Sequence, residues 1–132
     1  MRRKSLTPLG ETEMEILHHV WALGSATVAQ VRERILDARP IAYTTVMTVM
    51  KNLSEKGYLE FDKDGATYVY RPARAPEEVR RSLVHDLVRK VFHGSPLALM
   101  QTLVAGEDLS EAEREEIRRL IDQMESRDDD IR

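Results

Sequence analysis

The stretch AYTTVMTVMKNLSEKGYLEF, residues 42–61, constrains this chain more than any other, because its apolar spacing is helical while its residue choice resists a helix. Thr44, Thr45, Val46, Thr48 and Val49 are all β-branched, and each lowers helix stability by roughly half a kcal/mol relative to alanine. Over the set the deficit is roughly 2–3 kcal/mol, so this helix has to be held by neighbouring elements. At about 100° per residue, Val46, Val49, Met50 and Leu53 fall in one sector as wide as a core-facing stripe. Thr44, Thr48 and Lys51 fall opposite, with Thr45, Met47 and Asn52 on the shoulders.

The neighbours are legible on both sides. Met14, Leu17, Val20 and Trp21 repeat at helical spacing behind Thr7-Pro8, which predicts a helix over about 10–22, ended by Gly24. Thr27-Val-Ala-Gln30 has capping-box spacing, and Val28, Val31 and Ile35 supply the apolar face of a short second helix. Gly57 stops the third. Tyr58-Leu-Glu-Phe-Asp62 and Ala66-Thr-Tyr-Val-Tyr70 then alternate like strands, joined by Lys63-Asp64-Gly65 with Lys63 at the hairpin tip, and Pro72 closes the second run. Three helices followed by a hairpin is the order of a winged helix-turn-helix.

The second half has a different logic. Pro76 suits a first helical turn, and Val79, Leu83, Val84, Leu87, Val88, Val91 and Phe92 follow it, spreading over roughly half of the helix circumference. Leu97, Leu99, Met100, Leu103 and Val104 form another apolar segment; Ser110-Glu-Ala-Glu113 caps a last helix bearing Ile117, Leu120, Ile121 and Met124. So short a helical set makes a weak core by itself, which favours burial against a second copy over packing on the chain's own first domain. The expected dimer interface is Leu83, Leu87, Val91, Leu97, Met100, Leu103, Leu120, Ile121 and Met124. The fold class is therefore mostly α with a small β-hairpin: an N-terminal winged helix-turn-helix over residues 1–74, then an α-helical dimerisation domain over residues 75–132.

Charge separates the halves as well. The net charge is −3, but residues 1–74 carry 11 Lys+Arg against 9 Asp+Glu, whereas residues 75–132 carry 9 against 14. A phosphate-facing surface belongs to the first half. Its outer helix face is hydroxylated and methyl-bearing, with one cation, one amide and no carboxylate before Glu55, a surface that fits a major groove. Arg2, Arg3 and Lys4 form a basic arm able to neutralise phosphates, and Asp128-Asp-Asp130 discourages non-specific DNA contact. No run of 18 apolar residues predicts membrane insertion, and MRRKSLTPLG lacks the apolar core of a signal peptide. The absence of cysteine excludes disulfides and thiolate chemistry and suits the cytoplasm.

Catalytic and metal chemistry find little footing. His18 and His19 are adjacent and point apart; His85 and His93 are eight apart and could share a helix face, but a metal site needs further ligands and the nearest carboxylate, Asp86, projects about 100° from His85. There is no glycine-rich phosphate loop and no nucleophile motif. The expectation is a non-enzymatic chain without cofactor. Two other readings remain: a winged helix that binds protein, which the Thr/Lys face argues against, and a ligand- or metal-sensing regulator using His85 and His93.

Residues 6–72 resemble the BlaI/MecI/CopY family of penicillinase-type repressors, through the LT start, the E-x-E-x-M-E-I-L helix with Trp21, the YTTVMTVMKNLSEKG helix and the Y-x-Y-R-P strand end. The resemblance implies a homodimeric winged-helix repressor on a palindromic double-stranded operator, with the third helix in the major groove and the wing on the backbone. The DNA-binding candidates are then Tyr43, Thr44, Thr45, Thr48, Lys51 and Asn52 on the helix, Lys63 on the wing, and Arg2, Arg3 and Lys4. Antibiotic-responsive members pair with a BlaR/MecR-type membrane metalloprotease system and are cleaved at an Asn-Phe bond. That bond aligns with Thr102-Leu103, where neither residue matches. The C-terminal cysteine cluster of copper-responsive members has no counterpart here.

Overall fold

A computed structural model describes residues 9–106 and 109–131, with side chains to residue 126. Its elements run α1 (Glu11–Leu23), α2 (Val28–Leu36), α3 (Tyr43–Glu55), β1 (Leu59–Asp64), β2 (Thr67–Pro72), α4 (Pro76–Val91), α5 (Pro96–Ala105) and α6 (Glu111–Ile131). Two compact units, Met1–Asp86 and Leu87–Arg132, divide the chain within α4. The architecture is mostly helical with one hairpin, as expected.

In the first unit the helix ends follow from local chemistry. The capping box forms at α2: the Gln30 N–H donates to Thr27 Oγ1 at 3.2 Å, and the Thr27 N–H donates to Gln30 Oε1 at 2.8 Å. Gly24 and Gly57 sit at φ +80° and +88° behind α1 and α3, a region that an L side chain enters only with strain. One core joins every element: Ile16, Leu17 and Val20 of α1, Val31 and Ile35 of α2, Val46, Met50 and Leu53 of α3, Leu59 and Tyr70 of the hairpin, and Val79 of α4 are buried. Met14, Trp21, Val49 and Leu83 pack against it while remaining partly exposed. Ile16, absent from the expected α1 stripe, is fully buried because α1 meets both α3 and β2, so its buried sector is wider than one stripe.

The hairpin is longer than its local pattern suggested. β1 and β2 pair antiparallel from Leu59↔Pro72 to Asp64↔Thr67, leaving a two-residue turn, Gly65-Ala66, with Gly65 at φ +64°. Glycine at the first central position is what a II′ turn requires. Lys63 consequently lies inside β1 opposite Tyr68 and is not the tip residue. The base of the hairpin is pinned to the α1–α2 connection by reciprocal bonds between Ala26 and Tyr70, each 2.8 Å.

In the second unit, Ser110 and Glu113 cap α6 reciprocally, and the Ser95 hydroxyl accepts from the Ala98 N–H to start α5. Apolar side chains there stay largely in water: Val91, Leu97 and Met124 are 59%, 66% and 64% exposed, and Leu87, Val104, Leu120 and Ile121 are also exposed. No described helix is long and apolar enough to cross a membrane.

Candidate nucleic-acid interface

α3 divides as its spacing demands. Val46, Met50 and Leu53 are fully buried, Val49 is half-buried, and Tyr43, Thr44, Thr45, Met47, Thr48, Lys51, Asn52 and Glu55 are exposed. The exposed face is chemically unoccupied: among the described residues, no hydrogen bond or ion pair engages the side chains of Thr44, Thr45, Thr48, Lys51 or Asn52. Thr102 in α5 shows the usual alternative, its Oγ1 donating to the Ala98 carbonyl one turn back at 3.1 Å. The hydroxyls of α3 are not spent on their own backbone. Ala42 provides no side-chain cap either, so the positive end of the α3 dipole carries no competing acceptor.

Three contacts aim this helix. Arg32 Nε of α2 donates to the Ile41 carbonyl at 3.0 Å, tying the second helix to the turn before α3. Lys56, the C-cap of α3, donates to both oxygens of Glu13 on α1 at 2.8 and 2.9 Å. Burial raises the Glu13 carboxyl, but the Lys56 ammonium and the Gly10 N–H outweigh it, and the group lies below its ordinary value. Arg39, in the α2–α3 connection, is bidentate to Glu15 of α1, at 2.5 Å from Nη2 and 3.3 Å from Nε. The arginine side chain lowers the Glu15 carboxyl. Sequence spacing pointed to none of these, since each joins residues 9 to 43 positions apart with no periodic relation.

The remaining candidates are placed as follows. Lys63 Nζ stands 5.9 Å from the Tyr68 ring centroid on the exposed hairpin. Arg2, Arg3 and Lys4 lie outside the described residues. Leu83 packs on the first unit's core; Leu87, Val91, Leu97, Leu120, Ile121 and Met124 are exposed, and Met100 and Leu103 are half-buried. The Thr102-Leu103 bond sits inside α5. No group of three or more potential metal ligands occurs among the described residues.

Comparison with known proteins gives a consistent picture. A family model described as penicillinase repressor matches residues 9–123. The transcriptional regulator BlaI of Mycobacterium tuberculosis is 32% identical over 123 residues, 92% of this chain and 88% of that protein. The methicillin resistance regulatory protein MecI of Staphylococcus aureus is 24% identical over 113 residues, 86% of this chain and 92% of that protein. The solution structure of the DNA-binding domain of the repressor BlaI superposes with a TM-score of 0.51 at 22% identity, covering 58% of this chain and 93% of that one. That likeness speaks for the fold.

Proposed function

The chain belongs to the penicillinase repressor family, and from that premise we propose that it is a homodimeric, cytoplasmic transcriptional repressor that binds a palindromic DNA operator through α3 in the major groove and the hairpin wing on the backbone. The observation that carries the reading is the free outer face of α3: three hydroxyls, an amide and an ammonium, exposed and without internal partners among the described residues. Threonine methyls suit thymine, asparagine suits adenine, and lysine suits guanine or phosphate. The relatives, a transcriptional regulator and a resistance regulatory protein by name, agree with it.

Dimerisation is supported by the exposed apolar residues of α4, α5 and α6, whose solvation is unfavourable unless a partner covers them. Induction through a BlaR/MecR-type sensor protease at Thr102-Leu103 requires α5 to open locally first, because the bond lies in helical backbone.

Selection from a random duplex library with the full chain tests the reading, the expected product being an inverted repeat. On the selected duplex, Thr48→Ala and Lys51→Ala should each weaken binding by about 1–3 kcal/mol, the worth of a good base contact, without changing the sedimentation coefficient. Unchanged affinity of both variants at matched salt would remove α3 as the reading helix.

A further inference from the structure

Strand alternation gives the hairpin two chemically different faces. Leu59, Phe61 and Lys63 oppose Pro72, Tyr70 and Tyr68, and these share one face; Glu60, Asp62 and Asp64 oppose Arg71, Val69 and Thr67 on the other. At the base of the first face, Leu59 and Tyr70 enter the core. Towards the turn, Phe61 and Tyr68 remain 46% and 45% exposed, although their rings meet edge to face at 5.0 Å. Lys63 stands beside Tyr68. This aromatic face carries no carboxylate. The opposite face carries three carboxylates, and its arginine is already committed: Arg71 donates to Glu60 at 3.1 Å and to Asp62.

Resting on the DNA-binding reading above, we propose that Phe61 and Tyr68 are DNA-contacting residues of the wing and that they set its orientation. The two rings pack on the C–H faces of backbone deoxyriboses, while Lys63 and the Tyr68 hydroxyl donate to adjoining phosphates. The Glu60–Asp62–Arg71 face is turned from the duplex, because its net negative charge repels phosphate. Charge complementarity selects the occupant: an aromatic face that carries the Lys63 ammonium, with Glu60, Asp62 and Asp64 on the reverse side, fits a polyanion.

The test is a salt series of binding measurements on the full chain, using as probe the duplex that the parent chain selects from a random library. Phe61→Ala should bind about tenfold more weakly, as for loss of an aromatic contact, with the slope of log affinity against log salt unchanged. Lys63→Ala should reduce that slope by about 1, and Arg71→Ala should reduce it less. Tyr68→Phe, which keeps both rings, should lose about fivefold, one hydrogen bond's worth. If Phe61→Ala fails to fold by circular dichroism, Tyr68→Phe decides alone. Parent-like binding by Phe61→Ala and Tyr68→Phe overturns the proposal, as does a slope loss in Arg71→Ala equal to that in Lys63→Ala. A parent chain that binds no duplex removes the DNA reading and this inference together; a binding parent with silent ring variants removes only the wing assignment.

Discussion

Val46 and Thr48 are two positions apart on one helix and nearly equal in volume, yet one is fully buried and the other exposed. Exchanging their chemistry separates folding from binding. Val46→Thr places a hydroxyl in an apolar core and should destabilise by about 1–3 kcal/mol in urea melts. Thr48→Val keeps the shape of an exposed side chain and should leave the melt within about 0.5 kcal/mol of the parent, while removing a donor from the proposed base-reading face. A Thr48→Val protein that binds its selected duplex like the parent would mean that the hydroxyl serves no contact. Glu13 is legible at the same scale through pH. Its carboxyl is held below its ordinary value of 4.5, so its contribution to stability is present above that value and disappears as pH falls through the lower folded-state value. Glu13→Gln should therefore be less stable than the parent near neutrality, with the difference shrinking in melts taken below pH 4.5.

Elements were legible where their signals are local. The Thr27/Gln30 box, the glycine behind α3 and the Ser110/Glu113 cap each sit within a few residues of the ends they define, and each forms as its spacing implied. The two faces of α3 were legible for the same reason: helical geometry converts position directly into direction. What escaped depends on partners distant in the chain. Ile16 is buried only because α1 is covered from two sides, and the Ala26–Tyr70 bridge joins residues that share no pattern. The turn shifted because Lys63 and Asp64 look like loop residues, whereas strand pairing continues until glycine permits reversal at Gly65. The α4–α5 junction shows a related effect. His93 adopts φ +51°, next to Gly94 at φ +81°, a conformation that costs a side-chain-bearing residue about 1 kcal/mol. His93→Gly should consequently leave the thermal midpoint unchanged or slightly raised, since relief of strain opposes the added freedom of the unfolded chain. A clear drop in the midpoint would show that the imidazole makes a stabilising contact outweighing the strain.

At the scale of the whole molecule, charge divides along the chain, and the acidic half also exposes aliphatic side chains. The half bearing the free α3 face is net positive, and the half bearing the exposed Leu97, Leu120, Ile121 and Met124 is net negative. An acidic half is repelled by phosphate, so its apolar surface is best covered by another copy, which would place two reading helices on one duplex. Leu120→Glu combined with Ile121→Glu tests this arrangement, because both side chains are exposed and the change should leave each protomer folded. Sedimentation should show a dimer for the parent and a monomer for the double variant. On a single half-site the two proteins should bind alike, since α3 is untouched. On the full inverted repeat the variant should lose about 10²–10⁴ in affinity, the advantage that a second linked site confers. Equal loss on half-site and full site would mean that the substitutions damage the first unit, and a variant that remains dimeric would move the interface away from α6.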